Sequence, residues 1–86
     1  MIFNGKIDFM EIIFEDEQLI AVNKPSGIPS NTLAESTVDH PSVEESIARL
    51  YAPNTTYLLH RLDVGTSGVL LFARTPEVFD QMRNLF

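Results

Sequence analysis

The stretch that most limits how this chain can fold runs from Tyr57 to Ala73. Two apolar runs, Tyr57-Leu58-Leu59 and Val69-Leu70-Leu71-Phe72-Ala73, bracket a largely polar insert, His60-Arg61-Leu62-Asp63-Val64-Gly65-Thr66-Ser67-Gly68. Apolar runs of this length, rich in Leu, Val and Phe, read as buried strands. The insert is too short to link two domains. It reads as a turn or bulge where one strand ends and the next begins, a place that aims side chains into a cleft. Any fold for this chain has to bring the two strands together and account for the acid, Asp63, between them.

The remaining elements follow from local signals. Residues 1–10 are weakly patterned and read as a strand fragment or lead-in. Ile12-Ile13-Phe14 and Leu19-Ile20-Ala21-Val22 flank Glu15-Asp16-Glu17-Gln18, a connection of hairpin length whose acids need no role beyond solvation. Asn23-Lys24-Pro25-Ser26-Gly27-Ile28-Pro29-Ser30 enforces a turn, and loop continues over residues 31–41. Ser42 with Glu45 has capping-box spacing, and Val43, Ile47 and Leu50 (with Ala48) form an apolar stripe, predicting a helix over 42–51 closed by Pro53-Asn54. Thr75-Pro76-Glu77 starts a second helix, with Val78, Phe79, Met82, Leu85 and Phe86 as its buried face. The expected class is α+β: a mixed, mainly antiparallel sheet with helices packed on it, in a single domain.

Charge and composition exclude several functions. The net charge is −6, and residues 1–50 hold all of it: nine acids face only Lys6, Lys24 and Arg49. A nucleic-acid binder normally carries a basic footprint, so the first half argues against RNA binding by this chain alone. Without cysteine there is neither a disulfide framework nor a thiolate metal site. His40, His60 and a carboxylate match no ligand motif, and no metal is expected. No apolar run approaches the ~20 residues that span a bilayer, and no signal peptide is recognisable. A cytoplasmic protein away from membranes is the expectation.

Asp63 is the sharpest chemical candidate, and local physics leaves it two readings. A carboxylate in a partly desolvated cleft, near Arg61, suits a nucleophile or general base. A turn aspartate bonded to the N–H of Gly65 or Thr66 is the other reading, and the commoner use of an aspartate at such a place. Arg61 is a nucleic-acid contact or the partner of a nearby acid. Lys24 lies near a phosphate or at a solvated strand end.

His60-Arg61-Leu62-Asp63 followed by Thr66-Ser67-Gly68 and Val69–Ala73 resembles the signature of the RluA-like RNA pseudouridine synthases. Ile13–Asp16 through Leu19–Gly27 also resembles that family's first hairpin and its N-K-P-x-G loop, and the two matches occur in the family's order. The resemblance covers roughly residues 11–86. It implies isomerisation of uridine to pseudouridine in tRNA or rRNA: uracil leaves its ribose, turns, and rejoins through carbon 5, with no cofactor. Asp63 is then the catalytic aspartate, attacking or assisting at the anomeric carbon, by a covalent ester or a glycal route. A carboxylate is competent for either. The resemblance further implies that Arg61 helps extrude the target nucleotide and that Lys24 lies on the RNA side. His60, Thr66, Ser67 and Gly68 shape the loop.

The resembling enzymes are more than twice as long. They carry a K-x-Y segment and a basic partner of the aspartate beyond the position of Phe86, and neither Tyr51 nor Tyr57 matches that tyrosine. The expectation is therefore an N-terminal fragment of a catalytic domain, inactive by itself. The alternatives are a non-catalytic remnant acting through RNA or self-association, and a glycoside-type hydrolase, for which a second acid at a recognisable spacing is missing.

Overall fold

The computed structural model describes residues 5–7, 10–31 and 41–86. The expected hairpin forms around the polar connection that separates its two apolar runs. Strand β1 (Gly5–Ile7) precedes β2 (Met10–Glu15) and β3 (Leu19–Lys24). Helix α1 (Val43–Tyr51) follows, then β4 (Tyr57–Leu58), β5 (Gly68–Ala73) and α2 (Pro76–Met82), with a 3-10 turn over Arg83–Leu85. The strands form one sheet in the order β1-β2-β3-β5-β4. All four pairings are antiparallel, so among the described residues the sheet is not mixed. The class is α+β, and part of the expected lead-in is a paired strand. Most of the loop over 31–41, His40 included, lies outside the described residues.

One core holds these elements together. Met10, Ile12, Ile20, Val22, Leu70 and Phe72 meet Val43 and Ile47 of α1, all eight at most 2% exposed. Each such side chain contributes about 1.5–3 kcal/mol through removal from water. The Ser42 hydroxyl accepts from Glu45 N–H while the Glu45 carboxylate accepts from Ser42 N–H, which completes the predicted capping box. Thr75 caps α2 in the same way through Val78 N–H.

The helix faces differ from the expected stripes. In α1 the core side is Val43, Ser46 and Ile47, with Tyr51 packed against the cluster, whereas Leu50 and Ala48 are exposed. The expected buried face of α2 is only half-buried: no residue of the helix is fully buried, and Leu85 and Phe86 are 70% and 57% exposed. The regular helix stops at Met82, and the tighter 3-10 turn carries those two side chains off its packing face.

A bulge in β2 resets its alternation. Ile12 lies opposite Val22 but Phe14 lies opposite Ala21, leaving Ile13 as the extra residue. Glu15, opposite the buried Ile20, therefore emerges on the α1 side. There it meets Arg74 at 3.2 Å. The Arg74 guanidinium also donates to Asp16 O and covers the Tyr51 ring. Burial, then the charge and hydrogen bond of Glu15, push the Tyr51 hydroxyl up to about 12. The hairpin acids are thus more than a solvated tip. Asp16 Oδ1 accepts from Leu19 and Gln18 N–H, which holds its carboxyl below the usual value.

Candidate functional site

β3 and β5 end together, Lys24 opposite Gly68, and the loops leaving these ends form the candidate site. The chain leaves β4 by an unusual route. Leu59 N–H still donates to Leu71 O, but Leu71 N–H donates to Nε2 of His60 at 3.3 Å instead of a main-chain carbonyl. The imidazole replaces the missing ladder acceptor, and residues 61–66 swing away from the sheet edge. Only the neutral ring can accept this bond, and burial lowers the His60 pKa accordingly. The Phe86 ring stacks on the imidazole with centroids 4.7 Å apart.

The loop that swings out is tied down from below by residues 24–30. Lys24 is fully buried, and its ammonium group donates to Pro25 O, Ile28 O and Val64 O at 3.1, 2.6 and 3.1 Å. Gly27 N–H donates to the same Val64 carbonyl, with Gly27 at φ +95°, where a side chain would be strained. Ser26 Oγ donates to Gly65 O, and the Ser30 hydroxyl bonds both Leu62 N–H and Leu62 O. Gly68 closes the loop at φ +152°, and a Cβ there would lie 3.2 Å from Leu62 Cδ1.

Asp63 sits between these anchors. The turn reading is not realised through its carboxylate: Thr66 N–H donates to the Asp63 main-chain carbonyl at 2.9 Å. The carboxylate is exposed, rather than partly desolvated, and has no hydrogen-bond partner among the described residues. Lys24 is not the solvated strand end. Buried among carbonyls, it serves as a post beneath the loop. Burial pulls its pKa down, and the negative charge of Asp63 pushes it back up.

Arg61 is exposed and makes no ion pair among the described residues. It edges an open cleft of about 420 Å³ with Asn31, Glu44, Leu58, Leu59 and His60. Thr66 and Ser67 are exposed, and their hydroxyls have no protein partner among the described residues. A larger cleft of about 550 Å³ lies at the opposite end of the sheet, but its cation, Arg74, is already engaged by Glu15 and Asp16. Tyr51 belongs to that end. Among the described residues no three His, Cys, Asp or Glu side chains come together to hold a metal, and no helix is long and apolar enough to cross a membrane.

A free carboxylate on a backbone fastened on both sides is thus built by the two segments that carried the resemblance, together with Ser30. Comparison with known proteins matches residues 18–86, strand β3 and both loops included, to the RNA pseudouridylate synthase family. The chain belongs to that family. A dual-specificity RNA pseudouridine synthase RluA of Vibrio cholerae is 37% identical over 94% of this chain. A tRNA pseudouridine synthase C of Pectobacterium carotovorum is 44% identical over 80% of it. An uncharacterized RNA pseudouridine synthase of Mycoplasma genitalium is 32% identical over 87%. The chain covers 32%, 18% and 24% of these three relatives, so it spans a third or less of their length.

Two contributors to this pseudouridylate synthase loop, Ser26 and Ser30, were not singled out in the sequence. The signal was present in N-K-P-S-G-I-P-S, where both hydroxyls lie within six residues of Lys24. Their partners, 32 and 39 residues away, are what the sequence does not display.

Proposed function

We propose that this chain supplies the aspartate-bearing part of an enzyme that isomerises uridine to pseudouridine in tRNA or rRNA. The observation that carries this is Asp63: its carboxylate is unpartnered among the described residues, while the main chain on either side is fastened by Lys24, Gly27 and Ser30. A carboxylate free of protein donors keeps its lone pairs for substrate, and a fixed backbone sets its approach. It acts at the ribose anomeric carbon as the uracil leaves and rejoins through carbon 5. Arg61, without an ion pair among the described residues, contacts RNA and fills the space left by the target nucleotide. Thr66 and Ser67 offer free hydroxyls to the sugar-phosphate chain. Lys24 supports the loop.

RNA tritiated at uridine carbon 5 tests the assignment. The enzyme as its gene encodes it should release tritium, and Asp63→Ala should reduce release by about 10²- to 10⁴-fold, as expected when a general-base or nucleophilic group is lost. Parent and variant behaving alike would refute it. The 86-residue chain alone, without a tyrosine near Asp63, should show no turnover.

A second reading, association between copies, is favoured by the exposed Val69, Leu85 and Phe86. Sedimentation of the 86-residue chain should then show a concentration-dependent dimer. A strictly monomeric species would remove that reading.

A further inference from the structure

We propose that Ser30 is the positioning residue for the Asp63 carboxylate. The inference rests on the reading of Asp63 as catalytic and adds a residue outside both recognised motifs. Ser30 is 2% exposed, and its hydroxyl makes a reciprocal pair with one residue: it donates to Leu62 O at 2.7 Å and accepts from Leu62 N–H at 2.9 Å. Both polar main-chain groups of the residue immediately before Asp63 are thereby committed to a single side chain 32 residues away. A hydroxyl is suited to this, because it carries one donor and two acceptor sites on one atom.

Ser30 is itself fixed. Its carbonyl accepts from Glu44 N–H at 3.0 Å, and the preceding Pro29 carbonyl accepts from Val43 N–H at 3.0 Å. These are the first N–H groups of α1, which a helix leaves without internal partners. Val43 and Ile47 of the same helix are fully buried in the core. A continuous chain of contacts therefore runs from core to α1, to Ser30, to Leu62 and to Asp63. The Leu62 side chain packs against the core as well. On the far side of Asp63, Lys24 and Gly27 hold Val64 O, and Ser26 holds Gly65 O. Ser30 is the only side chain among the described residues that hydrogen-bonds the main chain on the near side, at Leu62. Without it the main chain at Leu62 is held only by its side-chain packing and by the Leu59 and His60 bonds to Leu71, and the carboxylate shifts relative to any bound ribose.

Displacing a reacting group by about 1 Å costs on the order of 10²-fold in rate. The test compares Ser30→Ala, Ser30→Cys and Ser30→Thr in the enzyme as its gene encodes it. Cys keeps the side-chain volume but is a weak hydrogen-bonding group, whereas Thr keeps the hydroxyl. Ala and Cys should lower kcat for tritium release by about 30- to 100-fold with KM for RNA within about threefold of the parent, and Thr should recover most of kcat. Amide hydrogen exchange at Leu62 should accelerate in Ala and Cys while Ile20 and Val22 in the core stay protected. Unchanged Leu62 exchange in Ser30→Ala, or kcat within threefold of the parent, overturns the proposal. So does a loss of kcat that follows thermal stability across all three variants. If the parent itself releases no tritium, the reaction assigned to the site falls, and Leu62 exchange still decides whether Ser30 fixes the loop.

Discussion

Lys24 shows how a charged residue is made to serve a fold. Burying an ammonium group is costly unless its donors are matched, and here three carbonyls match all three. Two belong to its own turn and one to the loop bearing Asp63, so the side chain joins segments forty residues apart in sequence. Lys24→Met keeps the length of the stem and removes the donors, leaving Pro25 O and Ile28 O short of a partner and Val64 O with Gly27 N–H alone. The expected loss is about 2–3 kcal/mol in urea unfolding. Lys24→Arg should not restore it, because a planar fork does not fit a site shaped for a compact ammonium group. A variant as stable as the parent would show that the bonds are replaceable by water. The burial of Lys24 was not legible in the sequence. A lysine before proline normally ends a strand in solvent, and the acceptor that reverses this preference lies at Val64.

At the level of elements, legibility followed the range of the interaction. Both helix starts could be read because a cap and its N–H lie within three residues, as with Ser42 and Glu45 or Thr75 and Val78. The hairpin could be read for the same reason. The bulge at Ile13 could not, because Ile12-Ile13-Phe14 is apolar at every position and gives alternation nothing to register. The exit of the chain from β4 was equally hidden, since it depends on an imidazole taking a carbonyl's place on Leu71. That replacement has a pH dependence. The folded protein lowers the His60 pKa below its ordinary 6.5, so the unfolded chain takes up the proton first as pH falls. The stabilisation is complete above pH 6.5 and is lost as pH falls through the folded-state value. The urea midpoint should therefore drop more between pH 7.5 and 5.5 in the parent than in His60→Gln, whose side-chain carbonyl accepts from Leu71 N–H without titrating. Equal drops would mean that the ring contributes nothing to the acid sensitivity.

Across the whole molecule, the sheet separates two polar clusters. β3 carries Leu19 at one end and Lys24 at the other, about 17 Å apart at the usual strand rise. At the first end Arg74, Glu15 and Tyr51 are paired among themselves. At the second end the side chains of Lys24, Ser26 and Ser30 pair with main-chain groups, and the carboxylate is left out of it. Breaking the first cluster with Glu15→Gln should cost only about 0.5–1 kcal/mol, since both partners are a quarter exposed. Combined with Lys24→Met, the losses should add to within about 0.5 kcal/mol. A larger deviation would reveal coupling along β3 that the geometry does not suggest.

The loop over residues 62–65 is gripped almost entirely by its carbonyls and by one N–H, groups that every residue type presents alike. Val64 and Gly65 can therefore be exchanged for other residues without loosening a single anchor, while the acid beside them stays where it is. Such a loop is free to vary in what it shows to a partner and constrained only in where it holds its carboxylate. Anchoring by main chain leaves the side chains at positions 64 and 65 outside the grip that holds the carboxylate.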